Sequence, residues 1–109
     1  MAKIVFSDNF KLDLEQICAY ISTELKSPMA ALNTVRKIRK TISNLENFPY
    51  SGASLSFLVD IDTDYRYLVN GSYMTFYRVL ADDIYVDRIL YGKQNYISVL
   101  FPGSSDCET

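Results

Sequence analysis

Tyrosine and the cations are the side chains through which this chain could act, because it contains 9 tyrosines and no histidine. Without an imidazole, Ser-His-Asp and Cys-His catalysis are excluded, and no side chain has an unperturbed pKa near neutrality. Cys18 and Cys107 are too few for a four-ligand structural zinc site, so neither a metal nor a cofactor is expected. Both are expected as reduced thiols. The cations form two sets. Arg36, Lys37, Arg39 and Lys40 stand together, off the apolar positions Val35, Ile38 and Ile42, as a solvated face or a local patch for an anionic partner. Arg66, Arg78 and Arg88 lie in strand-like segments, with Lys93 just beyond, where an arginine must be paired or face a ligand. Asp87 is a candidate neutraliser for Arg78.

Composition narrows what these groups can serve. The 109 residues suffice for one domain, expected over residues 1–101, with 102–109 as a disordered tail. Hydrophobic residues make up 49%, enough to bury a core. With 11 Lys and Arg against 13 Asp and Glu, the net charge of −2 disfavours indiscriminate binding to polyanions, so basic function must be local. No stretch approaches the roughly 20 apolar residues of a membrane span, and the N-terminal apolar run is shorter than a signal-peptide core. The expected location is the cytoplasm.

The elements that must position the cations and tyrosines are legible from periodicity. Lys3 to Phe6 reads as a short strand, and Ser7-Asp8 as the N-cap of a helix. Leu14, Ile17, Cys18, Ile21 and Leu25 form one helical stripe. Ser27-Pro28 starts a second helix, with proline at its first position, and Ala31, Val35, Ile38, Ile42 and Leu45 carry it to about Asn47, before Pro49. So short a connection predicts an antiparallel helical hairpin. Residues 49–64 show no period and read as a connection with room for a short strand. From Tyr65 the period becomes two, predicting strands over about 65–69, 73–80 and 84–90 with turns at Asn70-Gly71 and Asp82-Asp83. The predicted fold is an α+β domain of order βααβββ, with the N-terminal strand and helical hairpin packed on one face of a four-stranded, mainly antiparallel sheet.

Those turns set a register: Leu68 opposite Tyr73, Tyr67 opposite Met74, Val79 opposite Val86 and Phe76 opposite Ile89. One face then carries Leu68, Tyr73, Thr75, Tyr77, Val79, Ile84, Val86 and Leu90, with Arg66 and Arg88 toward its ends. The other carries Tyr65, Tyr67, Val69, Met74, Phe76, Arg78, Tyr85, Asp87, Ile89 and Tyr91. One helical hairpin covers only one face, and the aliphatic one suits it. The tyrosine-rich face is expected to await a partner, since tyrosine combines an apolar body with a polar tip. The alternative is that Tyr96 to Phe101 folds back over it.

Several segments, taken together and in order, resemble the RelE/ParE superfamily of bacterial type II toxins over about residues 3–101. They are Asp13-Leu14 before Ala19-Tyr20-Ile21, Ser27-Pro28-Met29-Ala30-Ala31, Asn47-Phe48-Pro49 before Gly52, Tyr65-Arg66-Tyr67-Leu68, Tyr73 to Val79, and Arg88-Ile89-Leu90-Tyr91-Gly92-Lys93-Gln94-Asn95-Tyr96. The resemblance implies a toxin neutralised by a small cognate antitoxin, as a heterodimer or heterotetramer, through a flexible segment that wraps it. Two activities occur in the superfamily: RelE-like members cut mRNA in the ribosomal A site, and ParE-like members block DNA gyrase. Met74, Gln94 and Leu100 stand where the RelE-like ribonucleases carry catalytic Arg, Arg and Tyr, which moves this chain toward the ParE-like branch.

The leading expectation is therefore a gyrase inhibitor that acts by binding, with Arg66, Arg78, Arg88, Tyr91 and Lys93 touching the target; Arg66 and Arg88 could instead hold the end of the sheet. Tyr65, Tyr67, Met74 and Phe76, with Arg36, Arg39 and Lys40, are expected to meet the antitoxin. The alternatives are a ribosome-dependent, metal-independent endoribonuclease using Arg78, Lys93 and Tyr91 or Tyr96, and a degenerate relative that binds antitoxin without toxicity.

Overall fold

The computed structural model describes residues 3–59, 61–92 and 95–101. Its elements run β1 (Ile4–Phe6), α1 (Asp8–Thr23), α2 (Pro28–Ser43), β2 (Ala53–Ser54), β3 (Arg66–Asn70), β4 (Tyr73–Leu80), β5 (Asp83–Tyr91) and α3 (Tyr96–Leu100), with single 3-10 turns at Asn44–Glu46 and Leu55–Phe57. Both long helices begin as the sequence predicts. Ser7 Oγ accepts from the Phe10 N–H at 2.9 Å, and Ser27 Oγ accepts from the Ala30 N–H at 3.2 Å, with Pro28 in the first turn.

The sheet has five strands in the order β1-β5-β4-β3-β2, the fifth being the two-residue β2 from the aperiodic connection. β1 runs parallel to β5, and every other pair is antiparallel. The helical hairpin lies on one face, where Phe10, Ile38, Ile42 and Leu45 pack against Tyr77, Ile84, Val86 and Ile89.

Both hairpins are offset from the predicted register. The first turn is Gly71-Ser72, so Asn70 pairs with Tyr73 and Tyr67 with Phe76. Gly71 adopts φ 59°, placing the left-handed residue first, as in II′-type turns. The second turn is Ala81-Asp82, with φ 50° and 69°, and pairs Leu80 with Asp83. Each change slides both strands of the hairpin by one residue, which preserves which face a side chain occupies.

A β-bulge does not preserve it. Tyr77 pairs with Val86, but Phe76 pairs with Arg88, leaving Asp87 as the extra residue. Beyond it Ile89 opposes Thr75, Leu90 opposes Met74 and Tyr91 opposes Tyr73. Ile89 therefore joins the core beneath the helices, and Leu90 packs with Met74 and Phe76 on the other face, the reverse of the predicted assignment.

The face expected to stand open is covered by the chain itself. Leu55, Met74, Phe76 and Leu90 form a second core under Val59, Tyr96, Val99, Leu100 and Phe101. The Tyr96 ring lies 5.3 Å from that of Phe76, and Phe101 meets Tyr65 edge-on at 5.8 Å. Phe76 is 0% exposed and Met74 8%, so the alternative in which residues 96–101 fold back is the one the structure adopts. Its physical reason is the hydrophobic one: a short apolar segment tethered next to an apolar face removes both from water with little loss of chain entropy. The tail expected over 102–109 lies outside the described residues.

Candidate functional site

The three strand arginines are each held by the chain. Arg66, on β3, donates from one guanidinium nitrogen to the Gly52 carbonyl at 2.6 Å and the Tyr50 carbonyl at 3.3 Å, and lies 5.0 Å from the centre of the Tyr50 ring. It fastens the chain before β2 to the sheet. Arg78, on β4, lies between Asp64 and Asp87, each at 3.9 Å, with its guanidinium 5.1 Å from the centre of the Tyr65 ring. Both distances are charge contacts longer than hydrogen bonds, and its buried Nε has no hydrogen-bond partner among the described residues.

Arg88 is the most tightly held. Its Nε and one terminal nitrogen donate to the two oxygens of Asp13 at 2.7 and 2.8 Å, and the Ile89 N–H donates to the same carboxylate at 3.2 Å. Hydrogen bonding to Asp13 raises the arginine's pKa, against burial, which lowers it. Asp13 sits on the buried side of α1, in phase with Phe10, Ile17 and Ile21, and joins that helix to the bulged part of β5. Sequence reasoning missed the pair, although a carboxylate on an apolar stripe was a signal that a cation must meet it.

The tyrosines divide by face. Tyr65 donates its hydroxyl to the Asp87 carboxylate, and burial, followed by that hydrogen bond, pushes its pKa up to about 12. Tyr67 is half-buried against the second core. Tyr77 is fully buried: its hydroxyl accepts from the Gly52 N–H and donates to the Pro49 carbonyl, both at 2.9 Å. Gly52 is required there, because a Cβ would sit 2.6 Å from that hydroxyl and 2.8 Å from the Tyr67 carbonyl. Tyr91 is 42% exposed and meets Tyr73 edge-on; with Tyr20, Tyr73 and Ile17 it lines an open pocket of about 420 Å³ that sequence reasoning did not anticipate.

The candidate catalytic set is not brought together. Arg78 and Tyr91 lie on opposite faces, at β4 registers 78 and 73, about 17 Å apart along the strand at the usual rise. Tyr96 is packed on Phe76, and Lys93 lies outside the described residues. Among the described residues no group of three or more His, Cys, Asp or Glu could hold a metal ion. Arg36, Lys37, Arg39 and Lys40 are exposed on α2, and none of them pairs with a carboxylate among the described residues. Open to solvent among the described residues are the cationic outer side of α2 and the tyrosine pocket where α1 meets the end of the sheet.

Comparison with known proteins agrees with this architecture. A solved structure described as the chromosomal ParDE TA system from P. aeruginosa shares the fold, with a TM-score of 0.70 and 22% identity over 84% of this chain and 96% of that one. No curated protein matches the sequence. The family model for the ParE toxin of the type II toxin-antitoxin system parDE matches residues 4–96, and the chain belongs to that family.

Proposed function

We propose that this chain is a toxin that arrests growth by binding DNA gyrase, without chemistry of its own, and that a cognate antitoxin neutralises it as a heterodimer or heterotetramer in the cytoplasm. The observation that carries the choice of binding over catalysis is the separation of Arg78 from Tyr91 on opposite faces of the sheet. Ribonuclease chemistry needs its base, acid and phosphate-stabilising group around one scissile bond. Family membership over residues 4–96 supports the toxin reading.

Of the residues expected at the target, Tyr91 and Arg78 have the accessibility to contact it, while Arg66 and Arg88 act first as fasteners of the fold. For the antitoxin, the exposed Arg36, Arg39 and Lys40 are the contacts we propose; Met74 and Phe76 do not reach a partner while α3 is seated. Purified chain added to gyrase is expected to stop supercoiling, and Tyr91→Ala to weaken that inhibition about tenfold, as loss of an interface aromatic does. Supercoiling unaffected at stoichiometric excess overturns the proposal. Codon-phased mRNA cuts in primer extension after induction would put a ribonuclease in its place.

A further inference from the structure

Two cavities meet at one side chain, Tyr73, where the helices reach the end of the sheet. The first, of about 420 Å³, lies between α1 and the ends of β4 and β5. Gln16 and Tyr20 line it from one face of α1, a helical turn apart, and Ile17 and Ile89 give it apolar walls. Tyr91 stands beside Tyr73, its register partner on β5. Burial first, and then the proximity of Tyr20 and Tyr91, pushes the Tyr73 pKa up, which marks the three phenols as neighbours. Asp13 also borders this cavity, with both carboxylate oxygens engaged by Arg88 and the Ile89 N–H. The second cavity, of about 250 Å³, lies between α2 and the turn that joins β3 to β4. Thr34 and Lys37 line it from α2 and Ser72 from the turn, and no carboxylate among the described residues does so. The Gly92 N–H donates to the Ser72 carbonyl at 2.7 Å, which ties the end of β5 to that turn and holds the two cavities side by side.

We propose that these joined cavities hold one unpaired nucleotide, its purine ring among the tyrosines and its phosphate at Lys37, Thr34 and Ser72. A purine is flat, apolar on its faces and polar at its edges. Phenol rings receive such faces by stacking. The Gln16 amide offers a donor and an acceptor side by side, which matches the adenine edge. Across Tyr73, the Lys37 ammonium and the hydroxyls of Thr34 and Ser72 can each donate to a phosphate oxygen. Charge and polarity decide the occupant. A lysine or arginine from another protein would meet Lys37 and find the one nearby carboxylate already held by Arg88. An aliphatic chain would take water from Gln16 and the phenols and give no hydrogen bond in return. The net charge of −2 does not oppose a single phosphate met by a local cation. A free nucleotide and a nucleotide within a single strand present the same base and phosphate here. Neither gyrase nor the antitoxin enters this assignment.

The test titrates the full chain, labelled with nitrogen-15, with adenosine monophosphate. The nucleotide is expected to shift the amide resonances of Gln16, Tyr20, Ser72 and Tyr73 together. Adenosine and inorganic phosphate, each carrying part of the ligand, bind about tenfold more weakly or worse. Tyr20→Ala weakens the nucleotide about tenfold through lost stacking. Lys37→Glu does the same through the phosphate, whereas Lys11→Glu, an equal change of charge on α1 outside both cavities, changes binding less than about twofold under screening salt. Tyr20, Lys37 and Lys11 are exposed, so the three variants keep the core intact. A short oligodeoxyadenylate that binds more tightly than the monophosphate, with a steeper salt dependence, assigns the site to a strand; equal or weaker binding assigns it to the free nucleotide. Four results each overturn the proposal: no joint shift at millimolar nucleotide, inorganic phosphate binding as well as the nucleotide, which would leave an adventitious ion only, phenyl phosphate binding as well, which would give the site to a phosphorylated aromatic side chain, or equal loss in Lys11→Glu and Lys37→Glu. A chain that takes the nucleotide yet leaves supercoiling intact would sink the gyrase reading and keep this one; a chain that stops supercoiling without taking the nucleotide would do the reverse.

Discussion

At the scale of the residue, Tyr77 shows how one hydroxyl can organise a loop. It satisfies the Gly52 N–H and the Pro49 carbonyl at a fully buried position, and the absent Cβ of Gly52 makes room for it. Tyr77→Phe leaves both backbone groups without a partner, and is expected to cost about 2 kcal/mol in urea unfolding. Tyr65 provides a pH dependence. Its pKa rises from 10.0 to about 12 through burial and then its bond to Asp87, so between those values the folded chain keeps a proton that the unfolded chain has lost. That contribution to stability is complete below pH 10 and is lost as pH climbs through about 12. Tyr65→Phe is expected to flatten this part of the stability profile, measured as denaturation midpoints across the alkaline range.

At the scale of the element, the Asp13 and Arg88 pair locks α1 onto β5 where the bulge has disturbed the ladder. The third bond, from the Ile89 N–H, ties the helix to the strand's backbone as well as to its side chain. Asp13→Ala strands a half-buried guanidinium and removes the acceptor of that N–H, for an expected loss of about 3 kcal/mol in urea unfolding. Asp13→Leu combined with Arg88→Met, which removes both charges, is expected to recover much of that loss. A double variant no more stable than Asp13→Ala would show that the pair's charges are not what holds the two elements. A second tie has the same logic toward the opposite edge of the sheet, where Arg66 bonds the carbonyls of Tyr50 and Gly52.

At the scale of the molecule, the chain has two cores on the two faces of one sheet, and the second depends on a five-residue helix and the residue after it. Ending the chain at Asn95 would uncover Leu55, Met74, Phe76 and Leu90, and is expected to give strong binding of a hydrophobic dye and a lowered melting temperature. Unchanged melting after that truncation would show that the second core holds without its cover. The same cover leaves for the proposed binding functions the parts that stay exposed: the cationic side of α2, the pocket around Tyr91 and the guanidinium of Arg78.

The sequence by itself determined the order of the first strand, the two long helices and the three long strands, both helix caps, the single helical hairpin on the aliphatic face and the alternation of side chains from Tyr65 to Val86, because these follow from local periodicity and turn chemistry. Its collective segments also pointed to the toxin family, whose model matches residues 4–96. Only the tertiary structure decided the rest. One extra residue at Asp87 exchanges Ile89 and Leu90 between faces, and no local period records such a shift. The meeting of Asp13 with Arg88 spans 75 positions, and the seating of Tyr96 on Phe76 sets a non-local contact against an equally apolar partner that never appears in the sequence. Periodicity fixes which side of an element is apolar; what comes to cover that side is a competition among distant segments, settled only when the whole chain has closed.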